Sequence, residues 1–199
     1  MSWLTLRFGV LILVRHGQTD ANARGLLVGR TDWPLNDRGR QQAQAVAATL
    51  PAVTRVISSP LLRARETARA FGLAVETDER WIELDYGELD GEPASSVVDE
   101  VWRRWHADAE FVPAGGESLA ALARRVREAC ADLVDEARAR HIVVVSHVSP
   151  IKAAVTWALR VDDVVAWRMW LDDAAICRIR IDGDFPVLTA FNEVVAPMP

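Results

Sequence analysis

Cysteine is scarce in this chain of 199 residues: only Cys130 and Cys177 occur, each within an apolar pattern and neither with a second cysteine or a histidine at ligand spacing. That speaks against a disulfide framework and against a cysteine metal site, and leaves two buried reduced thiols, as expected of a cytoplasmic protein. Long hydrophobic runs are missing too. No segment approaches the ~20 apolar residues of a membrane-crossing helix, so no membrane partner is expected. Arg7 with Phe8 to Val14 has a faint look of a secretion signal, but the run is short and closed by Arg15 and His16. No small-residue cleavage site follows, so it reads as a first strand. Positive charge is not in excess: 23 Lys and Arg against 28 Asp and Glu leave a net charge of −5, which speaks against nucleic acid as a partner. Repeats, low-complexity tracts and interdomain linkers are absent as well, and the expectation is a single domain spanning 1–199.

What is present is ordinary globular composition, 50% hydrophobic and 26% charged, arranged as alternating strand and helix patterns. Leu11 to Val14 is an apolar strand; Asn36 caps a helix that stops at Pro51; Val53 to Ser58 is a β-branched strand. Ser59-Pro60 offers a cap and a first-turn proline for a helix ending near Gly72. Ala94 to Ala107 reads as helical, with Val98, Val101, Trp102 and Trp105 on one side. Glu117 to Ala139 carries the longest stripe, Leu119, Leu122, Val126, Cys130, Leu133 and Ala137. Ile142 to Ser146 is a buried strand, Ser149-Pro150 starts a helix through Leu159, and Asp162 or Asp163 caps a short helix through Met169. Ala174 to Ile181 and Val187 to Phe191 flank Asp182-Gly183, a hairpin signal. The expected fold is α/β: a three-layer sandwich with a mostly parallel central sheet, flanking helices and an antiparallel edge hairpin.

Three of the strands end in basic or helix-capping groups: Arg15-His16, Ser58-Ser59-Pro60 with Arg63, and His147 with Ser149-Pro150. If they are parallel neighbours, these groups meet at one sheet edge, where ligands of α/β proteins bind, with two helix amino termini aimed at the same place. Fixed cations beside an imidazole suit an anion such as phosphate.

The chain resembles the histidine phosphatase superfamily, in its phosphoglycerate mutase-like branch. Arg15-His16-Gly17-Gln18-Thr19 with Asn22 matches the opening signature, and Ser58 to Ala64 with Glu66-Thr67-Ala68 the second block. Glu83 with Tyr86-Gly87 and Gly91 matches the acid-bearing loop, Gly115 to Ser118 a phosphatase-type helix entry, and Val145-Ser146-His147 the last block. The resemblance implies that His16 is the nucleophile and forms a phosphohistidine, that Arg15 and Arg63 bind the phosphoryl oxygens, and that His147, cationic beside the phosphate, stabilises the transferring group. Glu83 would be general acid and base, with Asp85 or Glu88 as rival carboxylates. Asn22, the backbone near Gly29, and Val148 would contact phosphate or substrate. No metal and no cofactor are implied, and the partner would be a small phosphorylated metabolite; nothing in the pattern speaks to oligomeric state.

Two departures bear on the reaction. The last block normally continues into glycine and ends in Ile-Arg, whereas this chain has Val148 and Lys152; Val28 stands where mutases tend to carry a hydroxyl. Cofactor-dependent mutases also have a longer basic insertion after the acid loop, whereas Glu92 to Gly115 is compact, with Arg103 and Arg104 balanced by acids. Hydrolysis is therefore favoured over a mutase, and the acid argues against a silent phospho-ligand-binding module. The resemblance is nearest to broad-specificity and α-ribazole phosphatase-like enzymes. Trp81, Trp102 and Trp105 either line a cap over the phosphate or anchor a short helix. His106 and His141 fall in no motif and read as surface or strand-edge residues, and Arg124, Arg125 and Arg127 as the outer face of a helix.

Overall fold

The structure, a computed structural model, describes residues 9–50, 53–183 and 185–195; Arg7, Phe8 and Pro51 lie outside them. Six strands form one sheet in the order β3-β2-β4-β1-β5-β6. They are β1 (Val10–Arg15), β2 (Arg55–Ser58), β3 (Val75–Thr77), β4 (His141–Ser146), β5 (Ile176–Asp182) and β6 (Phe185–Glu193). The β1–β4, β2–β4 and β2–β3 pairs are parallel, and β1–β5 and β5–β6 antiparallel. This is the expected α/β sandwich.

Side chains alternate across a strand, and β1 divides its apolar residues accordingly. Leu11 and Leu13 pack with α5 (Leu119–Ala137) and α6 (Val148–Leu159) on one face. Ile12 and Val14 pack on the other with Val46 of α2 (Asp37–Thr49) and with Ala64 and Ala68 of α3 (Leu62–Arg69). A sheet covered on both faces needs continuous apolar strands, which is why Leu11 to Val14 and Ile142 to Val145 show no polar alternation. Every residue of the expected α5 stripe is buried, and Cys130 and Cys177 are buried free thiols.

Three details differ from expectation. The α3 helix starts at Leu62, after an N-cap position (Leu61) with no side-chain hydrogen bond, while the Ser59 hydroxyl oxygen accepts from the Leu61 amide (3.4 Å) just before it. The Ala94 to Ala107 segment divides into a 3-10 turn (Ala94–Ser96) and α4 (Asp99–Ala107), which leaves Val98 64% exposed between them. The β3 strand, two of whose three residues are exposed, has no apolar pattern to announce it.

Candidate active site

The parallel register carries the ends of β1, β2 and β4 to one edge: Arg15 pairs with Ser146, and Ser58 with Val145. One residue beyond, the His16 amide donates to the Ser146 carbonyl (2.9 Å) and the Ser59 amide to the Val145 carbonyl (2.9 Å). Regular pairing thus runs right up to the residues of interest, and His16 is 2% exposed. Its Nδ1 lies 2.7 Å from the Gly17 carbonyl oxygen. A carbonyl can only accept, so Nδ1 carries the hydrogen and Nε2 keeps a lone pair. The Arg63 Nε donates to that Nε2 at 3.2 Å. Burial first, then the charges of Arg63 and Arg15, hold the His16 pKa well below its usual value. The imidazole is neutral.

Arg63, on the first turn of α3, is fully buried, and burial brings its pKa down to about 10, so it stays cationic at neutral pH. Its Nη1 donates to the Thr31 carbonyl (2.9 Å) and its Nη2 to the Gly29 carbonyl (2.6 Å). The loop supplying those carbonyls hangs from one carboxylate. Asp90 accepts from the amides of Gly29 (2.8 Å), Arg30 (2.9 Å) and Thr31 (2.8 Å) and from the Thr31 hydroxyl (2.9 Å). The backbone near Gly29, expected to help bind the phosphate, thus has its Gly29 amide held by Asp90 and its Gly29 carbonyl by Arg63. Arg15 is fixed from the opposite side, through Nη2 to Asp173 (2.8 Å) and Nη1 to the Leu171 carbonyl (2.7 Å). Its buried Nε has no partner among the described residues.

His147 ends β4 at the N-cap position of α6. Its ring lies 5.1 Å from that of His16, tilted by 62°. The Nε2 is 2.7 Å from the Ser59 hydroxyl oxygen, and the buried Nδ1 has no partner among the described residues. Burial, Arg63, His16 and Arg15 together hold its pKa well below the usual value. A cationic His147 is thus not what the free pocket supports.

Glu83 is 3% exposed, more deeply buried than the sequence implied. It accepts from the amides of Leu84 (2.7 Å) and Ser149 (3.2 Å), the latter in the first turn of α6. These donors favour the anion, but burial outweighs them and the carboxyl pKa is raised. Of its rivals, Asp85 accepts from the Gly87 amide (2.9 Å) and pairs with Arg30 (3.2 Å), and Glu88 is exposed. Only Glu83 of the three lines the cavity in front of His16.

That cavity, about 350 Å³, also takes in Arg15, Asn22, Val28, Val148 and Lys152. The Asn22 amide oxygen is spent on the Thr19 amide and hydroxyl (3.1 and 2.7 Å). Trp81 and Trp105 are fully buried and take no part in the lining, whereas Trp102 does. His106, read as a surface or strand-edge residue, lines it as well, with Trp167 and Trp170. Sequence reasoning missed the supports. Arg125, assigned to an outer helix face, donates to the carbonyls of Arg80 (2.7 Å), Ile82 (2.8 Å) and Glu83 (3.3 Å) and to both carboxylate oxygens of Glu117 (3.0 and 2.9 Å). Asp90 and Asp173 were equally invisible; their partners lie 59 to 61 and 158 positions away (173 − 15). Among the described residues, no group of three or more His, Cys, Asp or Glu side chains could hold a metal ion, and no helix is long and apolar enough to cross a membrane.

Comparison with known proteins places this geometry. A family model, Histidine phosphatase superfamily (branch 1), matches residues 11–194. A bifunctional protein of Mycobacterium tuberculosis is 36% identical over 176 residues, covering 83% of this chain but 48% of that protein. The chain thus spans about half the length of the mycobacterial relatives it matches. Phosphoserine phosphatase 1 of Hydrogenobacter thermophilus is 35% identical over 196 residues, covering 92% of this chain and 91% of the relative. The phosphoserine phosphatase of Entamoeba histolytica, solved with 3-phosphoglyceric acid, superimposes with a TM-score of 0.86 at 29% identity, covering 93% of this chain and 97% of that one.

Proposed function

Because the chain belongs to the histidine phosphatase superfamily, we propose that it is a metal-independent phosphatase that hydrolyses small phosphomonoesters through a phosphohistidine on His16. One observation carries the reading: a buried, neutral imidazole whose Nδ1 is pinned and whose Nε2 faces a fixed guanidinium. In the first step Nε2 attacks phosphorus and the bond from phosphorus to the ester oxygen breaks. The Glu83 carboxyl, whose pKa burial raises, gives its proton to the departing oxygen. In the second step water attacks phosphorus, Glu83 takes a proton from it, and the P–N bond breaks to release inorganic phosphate and His16.

Arg15, Arg63 and the ring of His147 supply the donors for the phosphoryl oxygens, in place before the substrate arrives. Asn22 and Val148, the latter at the start of α6, line the same cavity. Hydrolysis is favoured over mutase chemistry because Arg103 is paired to Glu100 (2.6 Å) and Arg104 lies over the Phe111 ring (4.0 Å). Neither lines the cavity to hold a second phosphate. Relatives named as phosphatases support the same choice.

The test is turnover of p-nitrophenyl phosphate. His16→Ala should lower kcat by more than about 1,000-fold, as expected for loss of a nucleophile, and EDTA should leave the wild-type rate unchanged. Turnover retained in the variant, or lost on chelation, contradicts the reading.

A further inference from the structure

The cavity in front of His16 contains one cation that the proposed phosphoryl chemistry does not use. Lys152, on the second turn of α6, is half-buried in the wall, and its side chain makes no hydrogen bond or ion pair among the described residues. Burial pulls the ammonium down to about 8, against the attraction of Glu83 and with the repulsion of Arg15. It stays charged at neutral pH. An ammonium taken partly out of water without an acceptor is costly, and an anionic group brought to it removes that cost. Glu83 does not play that part, since its oxygens are held by the amides of Leu84 and Ser149.

Aromatic surface forms another part of the wall. The rings of Trp102 and Trp167 stand 6.3 Å apart at 83°, and that of His106 lies 6.1 Å from each. Behind them the fully buried Trp105 stacks on Trp167 at 5.4 Å, so the wall is rigidly backed. Trp170 remains 73% exposed, although its indole N–H is held by Asp172 (2.9 Å). An oriented indole left in water beside a pocket is apolar area ready for a ligand.

Size and charge narrow the occupant. A volume of about 350 Å³ is at the lower end of the range that holds drug-sized ligands. A phosphorylated three-carbon acid would leave most of the aromatic wall uncovered. The only carboxylate among the described lining residues is Glu83, so nothing else there would balance a substrate ammonium.

We infer that the site takes phosphomonoesters whose organic part is a flat apolar ring bearing an anionic substituent, the ring on the Trp102–Trp167 wall and the anion on the Lys152 Nζ. This rests on the phosphatase reading and adds the substrate class to it.

The experiment compares kcat/KM of the wild type for 3-carboxyphenyl phosphate, its neutral near-isostere 3-carbamoylphenyl phosphate, phenyl phosphate and O-phosphoserine. The carboxylate should be preferred over the carboxamide by about fivefold or more, chiefly through KM, as a half-buried charge pair would give. Phosphoserine should be the poorest of the four. Lys152→Met should bring the carboxylate-to-carboxamide ratio to near one, and Lys152→Arg should keep most of it. Trp170→Ala, at an exposed site, should raise KM for the aryl esters but not for phosphoserine. A wild-type ratio near one, a ratio unmoved by Lys152→Met, or a preference for phosphoserine overturns the inference while leaving the phosphatase reading intact. Failure to hydrolyse any of the four overturns both.

Discussion

At the scale of single residues, the backbone of Glu83 is held by a side chain that does not line the cavity. Arg125 spans from α5 to three successive stations of the loop, the carbonyls of Arg80, Ile82 and Glu83, while Glu117 locks its fork. Losing it frees the backbone of Glu83 and leaves the Glu117 carboxylate, only 16% exposed, with Arg30 (3.3 Å) as its ion-pair partner. We expect Glu83→Gln to slow alkyl phosphomonoesters about 100-fold or more beyond its effect on p-nitrophenyl phosphate, whose phenolate leaves without a proton. Arg125→Ala should show the same leaving-group bias at smaller size, together with a stability loss of about 1–2 kcal/mol in thermal melts from the hydrogen bonds removed. Arg125→Lys should rescue little, because an ammonium cannot serve several carbonyls and a carboxylate in one plane. Equal losses on both substrates would mean that Arg125 only supports the fold.

At the scale of elements, His16 sits where the chain leaves β1 and crosses the first turn of α2 with backbone against backbone. A Cβ on Gly17 would meet the Gly39 carbonyl oxygen at 2.3 Å, and one on Gly39 would meet the Gln18 carbonyl oxygen at 2.1 Å. No rotamer change can relieve such contacts. Gly39→Ala should therefore destabilise the protein by about 1–3 kcal/mol, a fall in Tm of roughly 2–12 °C for a chain of this size. It should also lower kcat by displacing the loop that fixes the His16 tautomer. An unchanged melt with full activity would show that the crossing is looser than these distances imply. The strands that build this edge were legible because β1, β2 and β4 are apolar and break off at charged or capping residues. The short, half-exposed β3 carries no such signal. Ser59-Pro60 looked like a helix start because local propensity favours it; the hydroxyl accepts from the Leu61 amide there and also meets His147, 88 positions on, which spacing could not show. The supports from Arg125, Asp90 and Asp173 were hidden for the same reason, since each meets its partners through the fold and not through spacing.

At the scale of the whole molecule, the site is a cluster of buried titratable groups whose protonation is linked to folding. The pKa values of His16 and His147 are lowered in the folded state, so the unfolded chain binds protons that the folded one refuses. Their contribution to stability is present above the unfolded value of about 6.5 and is lost as the pH falls toward the folded values. Glu83, with a raised pKa, acts in the opposite sense: its contribution is present at low pH and lost as the pH rises through the folded value. Denaturant melts between pH 7 and pH 5 should therefore show stability falling as the pH falls, with a slope of up to about 1.4 kcal/mol per pH unit for each histidine. His147→Asn should flatten that slope, and a slope unaltered by the change would mean that His147 titrates normally in the folded protein. What sequence reading captured at this scale was the convergence of Arg15, His16, Arg63, Glu83 and His147. What it did not show was how far His147 is buried, since that depth depends on every layer around the sheet.

The central claim is a covalent one, so it is best tested by trapping. The protein is mixed with 32P-labelled p-nitrophenyl phosphate, quenched in alkaline denaturant within the first turnovers, digested, and mapped by mass spectrometry. The account predicts one base-stable, acid-labile phosphoryl group on the peptide carrying His16, attached at Nε2 and more abundant in Glu83→Gln. Rapid turnover with no label on that peptide, or label on any other residue, would contradict it.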